Sequence, residues 1–388
     1  MSENLRILLV GGPMYDPLYA RLGEFEGRTG TSVEVVATLP HPELNERIGG
    51  EFTSGTAYYD LISTHTKYAP SQRQWLTPLD DDLGEVEMEP FTPETLDLAR
   101  IDGHLYGVPR NLDVKLLYFR TDLVPEPPSS WEELRKLAAR LRSKEFYGFA
   151  FPGKESGLFG HFFELHAMAG GRMFDDEGPP APKLNDEAGR WALGMLKDLY
   201  ERAAPEETPQ WHYDEVAACF REGRAAMSTD WPGGFYTYVD PDHSEVTDRF
   251  GVGLYPEGRA GRFIYSSSHT FAIPGTVRDR SAAVELLRFL TSRESQAYEA
   301  KLGTLPARSD ALRDARSAAP AGSLAERRWG LLEEAQEAVL LPPKHRNYPA
   351  VEDAIWQGVR EALLGKSVEE TLEDTEEAAS RAANPSDA

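Results

Sequence analysis

The sequence predicts an α/β fold divided into more than one lobe, and three observations support this prediction. Strand-like apolar runs alternate with segments of helical period from the first residues onward. The chain has 388 residues, about 2.6 times a domain of ~150 residues, so two or three lobes are expected. Hydrophobic residues make up 40% of the chain and aromatic residues 10%, as in folded globular proteins.

The charge and the cysteine content exclude several classes of function. There are 41 Lys and Arg residues against 64 Asp and Glu residues, which gives a net charge of −23. Nucleic acid is therefore not expected as a partner, because binding to phosphates needs clustered basic residues. No run approaches the roughly 18 apolar residues of a membrane helix. The single Cys219 excludes an internal disulfide and a multi-cysteine metal site.

The first elements predict a βαβ unit and then a second strand-and-helix unit. Apolar runs at 7–10 and 33–36 predict strands, with a helix between them. A helix is then predicted at 42–52 and a buried strand at 59–62, which ends in the polar segment 63–67. Ligand crevices in open α/β sheets lie outside the carboxyl ends of the strands. We therefore expect ligand contacts from residues that follow these strands: Tyr15, Thr64, Thr66 and Lys67.

Local signals predict the later elements. A turn between short extended pieces is expected at 101–109, and strands at 114–119 and 225–228. Ser130 and Glu133 form a capping-box pattern, which predicts a helix over 131–141. Further helices are predicted at 187–203, 213–222, 281–292, 324–340 and 351–364, the last one ended by Gly365. The acidic C-terminal residues predict a frayed helix and a tail.

Several local patterns, in chain order, resemble the extracellular solute-binding proteins of ABC importers, in the sugar-binding branch similar to maltose-binding protein. The similar stretches are 25–30, 60–62, 102–109, 117–123, 128–134, 220–227, 271–274, 282–292 and 303–308. The resemblance implies a two-lobed periplasmic-binding-protein-like fold of type II, with a sheet flanked by helices in each lobe and a hinge between the lobes. One lobe would comprise residues 1–112 and 270–318. The other would comprise 113–269 and 319–388.

The resemblance also implies a function. A protein of this kind binds a small molecule, here a mono- or small oligosaccharide, by closure of the two lobes, and delivers it to the permease subunits of an ABC transporter. No catalysis, no cofactor and no metal are expected, and the protein is expected to be a monomer. Burial of a sugar requires flat aromatic faces for its C–H groups and polar side chains for its hydroxyls.

The remaining candidate ligand contacts follow from the resemblance and from the residue types. Arg110, Asn111 and Asp113 lie where the chain of the family first crosses between lobes, and a charged fork there suits a diol or a carboxylate. Asp230 and Trp231 are also candidates, because they lie in a segment that often supplies a stacking aromatic side chain in the family. The other candidates are Phe159 and His161 at the start of a helix, Tyr265, Ser267 and His269 where the family usually has glycines, and Tyr348.

Three alternatives to a sugar receptor remain open from the sequence. The first is a receptor for a charged metabolite such as a polyol phosphate, bound by Arg110, Lys67 and His269. The second is a hydrolase that uses His161 and Glu164, although the chain has neither a metalloprotease H-E-x-x-H pattern nor a nucleophile elbow. The third is a cytoplasmic sensor built on the same fold.

The N-terminus leaves the location of the protein open. The first four residues carry no basic segment, and the apolar run that follows is shorter than that of a signal peptide and favours a strand. We expect an extracytoplasmic protein if a leader is missing from this chain, and a cytoplasmic protein if the chain is complete as shown.

Overall fold

The computed structural model describes residues 4–12, 14–175 and 178–385. The chain forms two compact units, each assembled from two segments. Unit 1 comprises residues 1–113 and 267–319, and unit 2 comprises residues 114–266 and 320–388. Both units are of mixed α/β structure.

Twelve strands and seventeen helices occur in the part of the chain that the structure describes. The strands are β1 (Leu5–Val10), β2 (Val33–Leu39), β3 (Leu61–His65), β4 (Arg100–Ile101), β5 (His104–Leu105), β6 (Val108–Pro109), β7 (Leu116–Arg120), β8 (Met227–Asp230), β9 (Phe250–Gly253), β10 (Ile264–Tyr265), β11 (His269–Ala272) and β12 (Val339–Leu340). The helices are α1 (Asp16–Tyr19), α2 (Leu22–Thr29), α3 (His41–Thr53), α4 (Ala69–Gln72), α5 (Glu85–Met88), α6 (Pro93–Ala99), α7 (Trp131–Leu141), α8 (Glu155–Met168), α9 (Glu187–Arg202), α10 (Tyr213–Arg221), α11 (Gly234–Val239), α12 (Arg280–Leu290), α13 (Arg293–Ala300), α14 (Ser309–Ala318), α15 (Leu324–Ala335), α16 (Tyr348–Leu363) and α17 (Val368–Ala383). None of these helices combines the length and the apolar character that a bilayer crossing requires.

The main sheet of unit 1 has the strand order β2-β1-β3-β11-β6. Strand β1 runs parallel to both β2 and β3, whereas β11 runs antiparallel to β3 and β6. Side chains of β1 alternate between two core clusters: Leu5, Ile7 and Leu9 belong to one, and Leu8 and Val10 to the other. Both faces of this mixed sheet are thus covered, as is usual for the sheets of α/β proteins.

Unit 2 has a smaller antiparallel sheet with the order β8-β7-β9. A second, two-stranded sheet pairs β10 with β12 in parallel. Helix α8 is buried almost along its whole length and packs against α9 and α16, and α17 packs against α16. Apolar residues occur on all sides of α8, and its polar residues His161, Glu164 and His166 are buried with them, so neighbouring elements cover the helix on all sides.

The predicted helix over 131–141 is confirmed as α7, and its cap differs in one detail from the predicted one. The Ser130 hydroxyl accepts a hydrogen bond from the backbone N–H of Glu133, at 3.3 Å. The carboxylate of Glu133 accepts from the backbone N–H of Ser129 at 2.9 Å, one residue earlier than in a standard capping box. The helix therefore begins where the local signal predicted.

Two predicted elements in unit 1 have different bounds in the structure. The predicted strand at 59–62 begins at Leu61 and continues to His65, because the antiparallel partner β11 pairs with the polar residues as well. The predicted helix at 281–292 is α12, which ends at Leu290. A new helix, α13, follows because the hydroxyl of Ser292 accepts from the backbone N–H of Ser295.

Two predictions for the C-terminal part are wrong. The predicted helix at 324–340 ends at Ala335, and its last residues form a 3-10 turn and strand β12. The β-branched Val339 pairs with Ile264 there, so sheet pairing overrides the helical pattern. The acidic end predicted as a frayed helix is instead the sixteen-residue α17, which is capped by Ser367 and buries Leu372 and Ala379.

Candidate functional site

Polar and aromatic side chains of unit 1 meet at the carboxyl edge of its sheet. Tyr15 lies in the connection after β1, His41 begins α3 after β2, and His65 ends β3. Strand β11 runs in the opposite direction, so its first residue, His269, lies directly across from His65. The carboxyl ends of parallel strands are where open α/β sheets bind ligands, and this edge is therefore the candidate site of unit 1.

The rings at this edge are in mutual contact. The Tyr15 hydroxyl lies 2.9 Å from Nε2 of His269. Ring centroids are 5.0 Å apart for His41 and His65, 4.9 Å for His65 and His269, and 4.8 Å for His41 and His269. One nitrogen from each of the three imidazoles lies within 4.8 Å of the other two. The cluster of His41, His65 and His269 is called the histidine triad below.

Neither His41 nor His65 is among the residues selected from the sequence. Both follow strand ends, which is the signal that selected Tyr15 and Thr66, but histidines far apart in the chain form no motif. Burial, reinforced by the nearby Lys67, lowers the pKa of His41 to about 3. Burial also lowers the pKa values of His65 and His269 well below the usual range, so all three rings are neutral at physiological pH.

The structure places Arg110 in a buried ion pair. Its guanidinium donates from Nε to Oε1 of Glu299 at 2.8 Å, and it also donates to the Tyr19 hydroxyl at 2.9 Å and to the backbone carbonyl of Tyr15 at 3.0 Å. Burial alone would lower the pKa of Arg110, but the Glu299 carboxylate outweighs it and raises this pKa. These contacts fix the loop that carries Tyr15, and direct contact of Arg110 with a ligand stays a prediction.

Asn111 and Asp113 connect this segment to the histidine triad. The Asn111 carbonyl oxygen accepts from the backbone N–H of His269 at 3.0 Å, and its amide donates to Asp113 at 2.7 Å. Burial raises the pKa of Asp113 to about 7, although hydrogen bonds from Ser267 and Asn111 oppose this shift. Asn111 and Asp113 also line a small cavity together with Tyr15 and Arg110.

The threonines and the lysine after β3 have contacts within unit 1. The Thr64 hydroxyl is buried and donates to the Gln72 side chain at 2.5 Å. The Thr66 hydroxyl accepts from the backbone N–H of Ser268 at 3.2 Å. The Lys67 ammonium lies 4.7 Å from the centroid of the Tyr68 ring. Because these bonds hold the strand end in place, ligand contacts of all three residues stay predictions.

Unit 2 contains a second candidate group around a fully buried ion pair. The Lys115 ammonium lies 2.8 Å from the carboxylate of Glu164, and neither side chain is exposed. Glu164 also accepts from the Tyr255 hydroxyl at 2.5 Å and from the backbone N–H of Tyr265 at 2.7 Å. Burial lowers the pKa of Lys115 and raises that of Glu164, while their mutual attraction opposes both shifts.

Trp231 follows β8 beside this pair. Its half-buried indole lies 5.3 Å from the Lys115 ammonium and 5.3 Å from the Tyr213 ring centroid. The preceding Asp230 is buried and accepts from the Tyr238 hydroxyl at 2.5 Å and from the backbone N–H of Trp231 at 2.8 Å. Burial raises the pKa of Asp230 to about 6. A partly exposed aromatic side chain thus follows a buried carboxylate directly in the chain.

Phe159 and His161 are fully buried on α8. The Phe159 ring lies 5.7 Å from the ring of Tyr265 and 6.1 Å from that of Tyr348, centroid to centroid, and all three belong to the core of unit 2. His161 donates from Nδ1 to the Gly157 carbonyl at 2.9 Å and accepts at Nε2 from the Thr229 hydroxyl at 3.0 Å. Both ring nitrogens of His161 are therefore engaged, and ligand contacts of these residues stay predictions.

Comparison with known proteins assigns the family. The model of the family described as bacterial extracellular solute-binding protein matches residues 20–323. The chain belongs to this family. It is accordingly a solute-binding component of ABC transporters, and the proteins of the family are extracellular.

Curated relatives agree with this assignment. A probable amino-acid ABC transporter periplasmic-binding protein of Sinorhizobium fredii is 24% identical over 328 residues, which are 81% of this chain and 74% of that protein. The mannitol-binding protein of Pseudomonas aeruginosa is 26% identical over 276 residues, 66% of this chain and 60% of that protein. A probable ABC transporter-binding protein of Deinococcus radiodurans is 26% identical, and the chain spans 56% of its length.

Solved structures share the fold over nearly the whole chain. Maltose-bound MalE3 of T. maritima has a TM-score of 0.86 at 23% identity, with 97% of this chain and 99% of that chain covered. A solute-binding protein of Agrobacterium radiobacter in complex with ribitol has a TM-score of 0.85 at 21% identity, with 97% and 98% covered. The predicted two-lobed periplasmic-binding-protein-like fold is thereby confirmed.

Proposed function

We propose that this solute-binding protein takes a neutral carbohydrate or polyol, a monosaccharide or a small oligosaccharide, and presents it unchanged to the permease subunits of an ABC transporter. The half-buried indole of Trp231 beside the buried Asp230 carboxylate is the observation that carries this proposal. A sugar ring requires a flat apolar surface for its C–H face and charged or polar acceptors for its hydroxyls. Trp231 provides the flat surface, and the adjacent Asp230 carboxylate provides acceptor oxygens, each of which has a lone pair beyond its bond to Tyr238 or to the Trp231 backbone.

The polar edge of unit 1 supports the same ligand class. Tyr15, Asn111 and the histidine triad present hydroxyl, amide and neutral imidazole groups rather than a cluster of unpaired cations. Such groups match the hydroxyls of a neutral ligand, because each hydroxyl both donates and accepts hydrogen bonds. The names of similar proteins point the same way, since they bind maltose, ribitol or mannitol.

Closure on the ligand is the proposed mechanism. Units 1 and 2 act as the two lobes, and a ligand that contacts both stabilises the closed state relative to the open state. Only this difference in affinity shifts the population, so contacts from one unit alone bind the ligand without closing the protein. The closed form is then the form that the permease recognises, outside the cytoplasmic membrane, and the protein works as a monomer.

The alternative receptor for a charged metabolite has less support from the contacts. It requires Arg110 as an anion-binding fork, whereas this guanidinium is already paired with the buried Glu299. The relative from Sinorhizobium fredii is nevertheless described as an amino-acid transporter protein, so charged ligands belong in the test. The hydrolase alternative requires a free His161 and Glu164, and both side chains have their polar atoms engaged by neighbours.

A thermal-shift screen of the purified protein tests this proposal. The neutral ligands are D-mannitol, ribitol, D-tagatose, maltose and maltotriose, and the charged ligands are mannitol 1-phosphate and glutamate. A ligand that binds only the folded state stabilises it and so raises the melting temperature. At a ligand concentration 100 times its Kd, the added free energy of unfolding is about 2.7 kcal/mol. We expect such a shift from at least one neutral ligand.

Matched tryptophan variants assign the shift to the site. Trp231→Ala should weaken binding of that ligand at least roughly tenfold, because it removes the stacking surface. Trp356→Ala is the control, since this tryptophan is also half-buried in unit 2 but lies on α16. Shifts only with the charged ligands, or equal binding by both variants, would contradict the proposal.

A further inference from the structure

The histidine triad places one nitrogen from each of its three rings close together at the carboxyl edge of the unit 1 sheet. His65 and His269 are register partners on β3 and β11, and His41 stands at the first position of α3. Atoms Nε2 of His41 and Nδ1 of His269 are buried and have no hydrogen-bond partner among the described residues. Buried polar atoms are usually hydrogen-bonded, so these two ring nitrogens in one cluster are available to a polar group that binds there.

The separation of the nitrogens limits the size of the ligand atom that they can share. One nitrogen from each ring lies within 4.8 Å of the others. A tetrahedral Zn²⁺ ion, with bonds of about 2.0–2.1 Å, holds its ligand nitrogens only about 3.4 Å apart. An oxygen atom at a hydrogen-bond distance of about 2.8 Å holds three nitrogens about 4.6 Å apart. Both spacings lie within the 4.8 Å limit, so the distances admit a hydrogen-bonded oxygen, and the positions of the imidazole protons decide between it and a metal ion.

The hydrogen bonds at the outer sides of the rings determine where the protons are. Nδ1 of His65 accepts from the backbone N–H of Lys67 at 3.1 Å, and Nδ1 of His41 accepts from the side-chain amide of Asn45 at 3.0 Å. A neutral imidazole carries one proton, so both rings carry it on Nε2. Metal-binding histidines show the opposite arrangement, in which the outer nitrogen donates and the inner nitrogen has the lone pair.

His269 supplies the third group. Its Nε2 is hydrogen-bonded to the Tyr15 hydroxyl, which leaves Nδ1 for the ligand. When Nε2 donates to the Tyr15 oxygen, Nδ1 carries a lone pair and accepts a hydrogen bond. The triad then offers two N–H donors, on His41 and His65, and one acceptor, on His269.

We propose that His41, His65 and His269 form a subsite for one hydroxyl group of the bound sugar or polyol. The hydroxyl oxygen accepts from Nε2 of His41 and of His65, and its proton is donated to Nδ1 of His269. This inference rests on the proposed function and deepens it, because it identifies the residues in unit 1 that distinguish a hydroxyl from a hydrogen or an ether oxygen. Such a site discriminates strongly, since a ligand without that hydroxyl leaves buried groups unpaired.

The protonation of the triad can be measured without any ligand. Long-range proton–nitrogen correlation spectra of protein labelled with ¹⁵N-histidine distinguish the two neutral tautomers, and His41→Phe and His65→Phe assign the signals. We expect Nε2-protonated rings for both His41 and His65. Nδ1-protonated rings at both positions would overturn the hydroxyl subsite.

Calorimetric titration tests the subsite directly. The probes are D-mannitol, ribitol, D-tagatose and maltose, and the variants are His41→Phe and His269→Phe, which keep a flat ring of similar size. We expect each variant to bind the best wild-type probe roughly 5- to 100-fold more weakly. His104→Phe is the control, because this exposed histidine pairs with Asp80 away from the triad, and it should bind as the wild type does.

The outcomes separate the two proposals. If no neutral probe binds to the wild type, the proposed function fails and the subsite fails with it. If the wild type binds a neutral probe and both triad variants bind it equally well, only the subsite fails. A rise of several degrees in melting temperature with ZnCl₂ that disappears in His41→Phe would also overturn the hydroxyl subsite in favour of a metal site.

Discussion

Lys115 and Glu164 form an ion pair in which both side chains are completely buried and the charged atoms lie 2.8 Å apart. Their pairing, with Tyr255 and the backbone of Tyr265 as further partners of the carboxylate, compensates the loss of hydration of two charges. The same ammonium lies beneath the Trp231 indole. The Trp231 indole, the proposed stacking surface, therefore packs against the ammonium of a buried ion pair. This pair is compatible with a stable fold only while both of its partners are present.

Removal of one partner of this pair should strongly destabilise the protein. We expect Lys115→Met to lower the free energy of unfolding by about 3–5 kcal/mol, because Glu164 is left as an unpaired buried charge. Lys183→Met is the control, since Lys183 pairs with Asp175 on the surface. This substitution should lower the free energy of unfolding by less than about 1 kcal/mol. Urea denaturation measures both, and equal stability of the two variants would show that Glu164 is not held as a charge.

The C-terminal helix α17 should contribute to the core of unit 2. Leu372 is fully buried, so we expect Leu372→Ala to lower the free energy of unfolding by about 2–5 kcal/mol. Leu364, which is 56% exposed, is the matched control, and Leu364→Ala should change stability by less than about 0.5 kcal/mol. A frayed C-terminus, as the sequence predicted, would instead make both variants equally stable in denaturation experiments.

Two glycines of unit 2 should respond in opposite ways to alanine. A Cβ on Gly148 would lie 1.9 Å from the carbonyl oxygen of Ala138, and this clash cannot be relieved by a side-chain rotation because the oxygen belongs to the backbone. Gly148→Ala should therefore lower the free energy of unfolding by at least about 2 kcal/mol. Gly194 lies inside α9 with nothing within 4 Å of its Cβ position. Gly194→Ala should therefore stabilise the protein by about 0.5–1 kcal/mol. Thermal denaturation that ranks the two variants in the reverse order would contradict this packing.

Asp113 should make the stability of the protein depend on pH. Burial raises its pKa to about 7 in the folded protein, above the usual 3.8, so the folded state retains a proton that the unfolded state loses. The contribution of the protonated Asp113 carboxyl to the free energy of unfolding is fully present below about pH 4 and is lost as the pH rises to about 7. We expect the wild type to lose up to roughly 4 kcal/mol over this range relative to Asp113→Asn.

The control for this pH dependence is Asp175→Asn, because Asp175 is exposed and its pKa is lowered by Lys183. Denaturation curves at pH 4, 5, 6, 7 and 8 give the stability difference for each variant. Parallel pH profiles of the wild type and Asp113→Asn would mean that the Asp113 carboxyl is not buried as the structure places it.

The sequence predicted those parts of the fold that depend on local signals. Helix α7 begins after Ser130 as expected, because its cap involves residues three positions apart. Strand β12 was not predicted, because it forms through pairing with the distant β10. In the same way, the polar residues after Ile62 belong to β3, since the distant strand β11 provides their hydrogen-bond partners.

The sequence predicted those residues of the candidate site that follow strand ends or match the family, and it missed those that only contacts between distant segments bring together. Strand ends and the family resemblance selected Tyr15, Asp113 and His269, which lie together at the edge of unit 1. The sequence did not reveal His41 and His65, because only the sheet pairing and the start of α3 bring them to His269. Nor did it indicate that Glu299 pairs with Arg110, a partner that changes what this guanidinium can bind.

The most direct test of a non-catalytic sugar or polyol receptor is isothermal titration of the purified protein with its best neutral ligand, followed by NMR spectroscopy of the recovered ligand after prolonged incubation. We predict one ligand bound per chain, a large loss of affinity in Trp231→Ala, and a ligand recovered without chemical change. Absence of binding by every neutral sugar and polyol, or conversion of the ligand to a product, would contradict this function.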